Sequence, residues 1–168
     1  TRSPSYSTFF WSGDQCHTYD DFDGLGCAVI ALITSGFSGV SLQHSDIGGY
    51  TGINLPFNIG SLLGAPHRTK ELLIRWAEMA AFSPLFRTHE GLLPAENAQP
   101  WDDDVIHMFK YLANIFVALR PYRRLLYKET TKTGLPVCRA MALHYLPDFI
   151  TMKKAMANND NDILCNLK

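Results

Sequence analysis

Three clusters of chemically capable side chains recur along this chain: Trp11-Ser12-Gly13-Asp14-Gln15, His44-Ser45-Asp46-Ile47-Gly48-Gly49-Tyr50, and Arg87-Thr88-His89-Glu90-Gly91. Asp14 follows a glycine at the end of an aromatic run, where a carboxyl can be held partly desolvated and protonated for general-acid work. The same position also suits a turn aspartate that caps the next element. Asp46 offers the same two readings, with Ser45 and the paired glycines making a turn role the more natural. Trp11 fits either as a stacking wall for a sugar ring or as core. His89 can hydrogen-bond a hydroxylated ligand while Arg87 or Glu90 orients it, or it can be satisfied inside a local salt-bridge network.

Other chemistries find less support. His44 with Asp46, and Cys16 with His17, lack the i, i+4 helical spacing and the Cys-x-x-Cys grouping that metal sites favour, so neither a metal nor a cofactor is expected. No Gly-x-Ser-x-Gly elbow signals a serine nucleophile. The run Asp102 to Asp104 reads as a solvated helix start.

The elements that must carry the clusters follow from hydrophobic patterning. Short apolar runs at 7–11, 37–43 and 84–86 read as strands, each ending in one of the polar clusters. A helix is expected from Phe22 to Ser35, led by Asp20, Asp21 and Asp23 and closed by Gly36. A second helix, Thr69 to Phe82, aligns Leu72, Leu73, Trp76, Met79 and Ala80. A third carries the stripe Val105, Met108, Phe109, Leu112, Ile115, Phe116 and Leu119. Strand, polar loop, helix is the rhythm of parallel βα units, whose chemistry sits at the carboxyl ends of the strands. Between Thr51 and His67 a Gly-, Pro- and Asn-rich stretch reads as a functional loop or an insertion. After Gly134 the pattern suggests extended elements, and the tail from Ala157 is Asn- and Asp-rich.

Composition bounds these readings. At 168 residues the chain is well short of the roughly 250 that a closed eight-stranded barrel requires. Fifteen basic against sixteen acidic residues leave a formal charge of −1, with no basic run to support nucleic-acid binding. Cys16, Cys27, Cys138 and Cys165 are too sparse for a disulfide scaffold and read as free thiols. No apolar stretch has the length of a membrane span and the first residues are not signal-like, so a soluble cytoplasmic protein is expected. The chain opens at Thr1 rather than methionine, which suggests a longer parent.

At these clusters the sequence resembles glycoside hydrolase family 31, the retaining α-glycosidases built on a (β/α)8 barrel. The matching stretches are Phe10 to Gln15, Asp23-Gly24-Leu25, Ser45 to Tyr50, Arg75-Trp76-Ala77-Glu78, Phe86 to Gly91, and Leu119-Arg120-Pro121-Tyr122. Within the family the sulfoquinovosidases are most similar, on the strength of Tyr50 after the paired glycines, the run His44-Ser45-Asp46, and the stretch Arg75 to Phe82. The resemblance implies that Asp14 is the general acid/base, that His89 and Arg2 hold sugar hydroxyls in the −1 subsite, that Trp11 lines that subsite, and that Tyr50 helps hold a sulfonate through water. It implies a carbohydrate substrate, an α-glycoside with a sulfonated sugar as the specific expectation, and no cofactor.

The family's nucleophile aspartate lies on an earlier barrel strand and has no counterpart in this chain, nor does the upstream Arg and Trp motif that contacts a sulfonate. Arg2 is also linked to Asp14 by a shorter stretch than the family pattern has. The expected architecture is α/β, the C-terminal part of the barrel in about three βα units over residues 1–133, with residues 134–168 leading into a β-domain. Such a part is expected to be inactive alone and to need a completing chain or a homo-oligomeric partner. The rival expectations are an α-glucosidase of the same family and a non-catalytic carbohydrate-binding fragment.

Overall fold

The computed structural model describes residues 8–52, 67–145, 150 and 153. Arg2, Cys165, the frayed-tail expectation and nearly all of the Thr51 to His67 stretch lie outside the described residues.

β1 (Phe10–Trp11) and β2 (Gln43–His44) pair in parallel, with Phe10 opposite Gln43 and Trp11 opposite His44. Parallel neighbours need a long crossover, and α1 (Leu25–Thr34) with a 3-10 turn (Ser35–Ser38) supplies it. The third expected strand, at 84–86, does not form as a ladder. Its exit instead makes a single parallel bridge, Ile47 to Thr88, reinforced by Ile47 N–H donating to the Arg87 carbonyl at 2.9 Å. The second strand is likewise shorter than the 37–43 expectation, because the 3-10 turn occupies Ser35–Ser38 and runs into Gly39 at φ 81°.

Helix boundaries shift for local reasons. α1 begins at Leu25, after the expected Phe22, because the Asp20 carboxylate accepts from the backbone N–H groups of Phe22 (2.9 Å) and Asp23 (2.8 Å) and so holds a turn there. The α-helix ends at Thr34 with Ser35 as its cap, next to the expected Gly36 stop, but Gly36 continues a 3-10 turn without positive φ, and a Cβ there would fall 2.3 Å from Pro136 Cγ, so close packing accounts for it.

α2 (Lys70–Ala80) is capped by Thr69, whose hydroxyl accepts from Leu72 N–H at 3.2 Å. It buries Leu72, Leu73, Trp76, Ala77 and Ala80 at the centre of the core, with Ile47, Ala28, Val105 and Leu112 around them. α3 (Ile106–Ala118) packs against α2 through Leu112, Phe109 and Ile115, while Met108 of the expected stripe is half exposed.

A helix that the periodicity does not announce follows at once: α4 (Arg120–Thr133), with Pro121 in its first turn, where the missing N–H costs nothing. Tyr127 of α4 donates its hydroxyl to the Pro84 carbonyl at 2.8 Å, which ties the helix to the third exit.

Two compact units divide after Cys138. In the second, residues 141–145 are helical where the sequence suggests an extended element. Cys16, Cys27 and Cys138 are free thiols. Among the described residues no helix is long and apolar enough to cross a membrane.

Candidate active site

The loops leaving the three strand positions are stitched to one another by backbone hydrogen bonds. Tyr50 and Thr51 both donate their N–H to the Gln15 carbonyl at 2.9 Å, His17 N–H donates to the Thr51 carbonyl at 3.1 Å, and the Thr51 hydroxyl donates to the Asp14 carbonyl at 2.8 Å. Leu92 N–H then donates to the Tyr50 carbonyl at 2.8 Å, drawing in the third exit. Asp14, Tyr50 and His89 therefore share one side of the small parallel sheet.

Asp14 is solvent exposed, so the expected partial desolvation is not present within the described residues. Gly13, at φ 99°, turns the chain sharply just before it. Gln15 points inward instead, buried, with its amide donating to the Ser12 carbonyl at 2.8 Å. Trp11 is half exposed rather than core, and the Arg87 guanidinium lies 5.9 Å from its ring centroid, within cation–π range.

His89 is exposed, yet its ring is anchored: Gly91 N–H donates to Nδ1 at 3.1 Å, which puts the proton of the neutral ring on Nε2. The Tyr50 ring meets it edge-on, with centroids 4.8 Å apart and planes at 86°. Neither Arg87 nor Glu90 orients His89 through its side chain. Arg87 is engaged elsewhere, donating to Asp46 Oδ1 at 2.6 Å, and Glu90 contributes its backbone carbonyl.

Asp46 is fully buried, with Oδ1 paired to Arg87 and Oδ2 without a hydrogen-bond partner among the described residues, so it does not face solvent as Asp14 does. Neighbouring Ser45 accepts from Trp76 Nε1–H at 2.9 Å, fixing the turn to α2. His44 is buried, and burial, then the Arg87 charge, lowers its pKa. His17 is buried too. Burial foremost, then the Arg68 charge, push its pKa down to about 4.

Cys16 donates its thiol to Asp23 Oδ2 at 3.4 Å, and burial followed by that carboxylate raises its pKa. A neutral thiol and a histidine beside a buried arginine make a poor cation site. Among the described residues, no three His, Cys, Asp or Glu side chains are grouped to hold a metal ion.

The sequence reading missed Arg68, Asn97 and Gln99, all buried. The Asn97 side-chain carbonyl accepts from Arg68 N–H at 2.9 Å, and Gln99 Oε1 accepts from Arg68 Nη2 at 2.7 Å. One signal was available: Arg68 stands just before the N-cap of α2, where the helix dipole disfavours a cation.

With this geometry in place, the match to known proteins is specific. The glycosyl hydrolases family 31 TIM-barrel domain matches residues 3–125. The chain belongs to glycosyl hydrolase family 31. It is 44% identical over 146 residues to a sulfoquinovosidase of Agrobacterium fabrum, covering 86% of this chain and 20% of that protein. It is 40% identical over 149 residues to a sulfoquinovosidase of Escherichia coli K12, covering 88% and 20% respectively. A solved family 31 sulfoquinovosidase from E. rectale, bound to an aza-sugar inhibitor, superimposes with a TM-score of 0.72 at 39% identity, over 84% of this chain and 20% of that one. The chain thus spans about a fifth of the length of these relatives.

Proposed function

We propose that the protein to which this chain belongs is a retaining α-glycoside hydrolase specific for sulfoquinovosides. Residues 1–133 are read as the C-terminal portion of its (β/α)8 barrel, and 134–168 as the approach to a following β-domain. The observation that carries the reading is the convergence of the Asp14, Tyr50 and His89 exits, stitched through Gln15 and Thr51 and closed by the Tyr50–His89 ring contact. The identity to sulfoquinovosidases supports the choice of sugar.

In this mechanism the Asp14 carboxyl protonates the glycosidic oxygen as its bond to the anomeric carbon breaks. A second carboxylate attacks from the opposite face to form a covalent glycosyl-enzyme. Asp14, now ionised, takes a proton from the water that releases the sugar. The second carboxylate, which retaining hydrolysis needs about 5–5.5 Å from the first, is read as lying on an earlier barrel strand outside residues 1–168, as the family resemblance implies, and Asp46 is buried against Arg87. His89 Nε2–H faces outward as a donor for a sugar hydroxyl, and Arg2 is assigned the same task. Trp11 supplies an exposed apolar wall, and the Tyr50 hydroxyl reaches the sulfonate through water.

The test is hydrolysis of matched α-glucoside and α-sulfoquinovoside substrates by the complete protein, together with its Asp14→Asn variant. Preference for the anionic sugar is expected. The variant should lose turnover of substrates with poor leaving groups and keep much of its turnover of activated aryl glycosides. A glucoside preference would move the protein to the α-glucosidases, a reading that 28% identity to a pig neutral α-glucosidase keeps in view. Equal loss on both leaving-group classes would remove Asp14 as the acid.

A further inference from the structure

Arg68 is fully buried. Among the described residues, each hydrogen bond from its guanidinium goes to a neutral oxygen: Nε to the Ala98 carbonyl at 2.8 Å, Nη1 to the His89 carbonyl at 2.6 Å, and Nη2 to the Glu90 carbonyl at 3.1 Å and Gln99 Oε1 at 2.7 Å. The Asp102 and Asp46 carboxylates lie near enough to favour the charge, but neither makes a direct ion pair with it among the described residues, so the lost hydration is only partly returned. The loss is visible in its pKa, which burial lowers to about 10. The group stays protonated at neutral pH. A leucine or methionine would fill the space without that cost, so packing alone does not explain an arginine here. A planar fork that fixes several carbonyls in one geometry does.

Those carbonyls belong to the site. Nη1 and Nη2 hold the backbone of His89 and Glu90, one peptide before the Gly91 N–H that anchors the His89 ring. The aliphatic stem lies against the second exit: a Cβ on Gly48 would fall 2.3 Å from Arg68 Cδ and 3.2 Å from Cγ. Arg68 therefore touches both the loop that carries Tyr50 and the loop that carries His89, just where the two rings meet.

We propose that Arg68 is a positioning residue that sets the Tyr50–His89 pair for substrate, acting on His89 through its backbone carbonyl and on Tyr50 through the Gly48 turn. The proposal rests on the reading that His89 and Tyr50 contact the sugar. A residue two loops removed from the reacting bond thereby controls glycone binding, without itself reaching the substrate.

The experiment is a double-mutant cycle in the complete enzyme with Arg68→Lys and His89→Ala, measuring kcat and KM on an activated aryl glycoside and on an unactivated one. Lysine keeps the charge but cannot serve four acceptors. Arg68→Lys should lower kcat/KM on the order of 10- to 100-fold, as expected for a small misplacement, and by the same factor on both substrates, unlike Asp14→Asn. In the His89→Ala background Arg68→Lys should cost clearly less than it does in the wild type, because the His89 share of its effect is already gone and only the Tyr50 share remains. Losses that multiply would overturn the proposal. Should Arg68→Lys not fold, Gln99→Met removes the Nη2 acceptor together with the Gln99 Nε2 bonds to the Glu90 and Pro94 carbonyls and enters the same cycle, with a loss that is again largely absorbed by His89→Ala. Crystal structures of wild type and variant give a readout independent of activity. Displacement of the His89 ring from Gly91 N–H is expected, and a variant with both rings unmoved would overturn the proposal even if the parent hydrolyses no α-glycoside. That last outcome would defeat the functional reading by itself.

Discussion

Replacing Gly48 by alanine should strain the Tyr50 turn by two separable amounts. Gly48 has φ 88°, and an alanine held in that left-handed region costs about 1–2 kcal/mol. Its Cβ would also lie 2.3 Å from Arg68 Cδ and 3.0 Å from Leu73 Cδ1, both on fully buried side chains. Arg68 is tethered at its far end and cannot swing away, so an overpacking cost of about 1–3 kcal/mol adds to the backbone cost. Gly39 is the internal control: its φ is 81°, and nothing lies within 4 Å of its virtual Cβ. Gly39→Ala should therefore carry the backbone cost alone. In the complete protein Gly48→Ala should therefore be about 1–3 kcal/mol less stable than Gly39→Ala and melt at the lower temperature by scanning fluorimetry. Equal melting temperatures would refute the idea that Arg68 is pressed against the turn.

Other consequences follow from the buried ionisable groups. His17 has a folded pKa of about 4 against 6.5 unfolded, so between those values the unfolded chain binds the extra proton. Stability is fully present above pH 6.5 and falls as pH drops toward 4, by up to about 3 kcal/mol. His17→Asn should flatten that slope in unfolding midpoints measured from pH 7 to 4, and an unchanged slope would exonerate His17. Asp46 and Arg87 should respond unequally, because the carboxylate is buried while the guanidinium is 41% exposed. Arg87→Ala strands a buried charge and should cost about 3 kcal/mol, whereas Asp46→Asn releases Arg87 to water and should cost about 1 kcal/mol. Equal costs in thermal or denaturant melts would show that the carboxylate finds another partner.

Helices whose burial is periodic and local were legible in the residue pattern. The stripe Leu72, Leu73, Trp76 and Ala80 announces α2 and its core-facing side, Thr69 marks its start, and from the 105–119 stripe Val105 and Leu112 reach the core with Phe109 and Ile115 partly buried against it. The residue pattern also located the three polar exits, because an apolar run that breaks into glycine and charge is a local signal. Three of the family motifs lie on those exits, and the family membership the motifs suggested is the one the barrel-domain match establishes. The strands were legible in place but not in extent: two residues of ladder in each of β1 and β2 depend on pairing across 33 positions of sequence, from Phe10 to Gln43, which no local pattern encodes. α4 escaped notice because a proline reads as a breaker until the first-turn position is known.

Which polar residues of the clusters are sealed and which face solvent depends on tertiary contacts. Asp14 and Asp46 look alike in sequence, each in a glycine-bearing turn after an apolar run. One faces solvent, and the other is sealed against Arg87. The orienting of His89 fell to Gly91, Tyr50 and Arg68, the last of these 21 residues away in the chain. Hydrogen-bond partners and desolvation are properties of where chain segments meet, so residue type and spacing could nominate the site but could not apportion its roles.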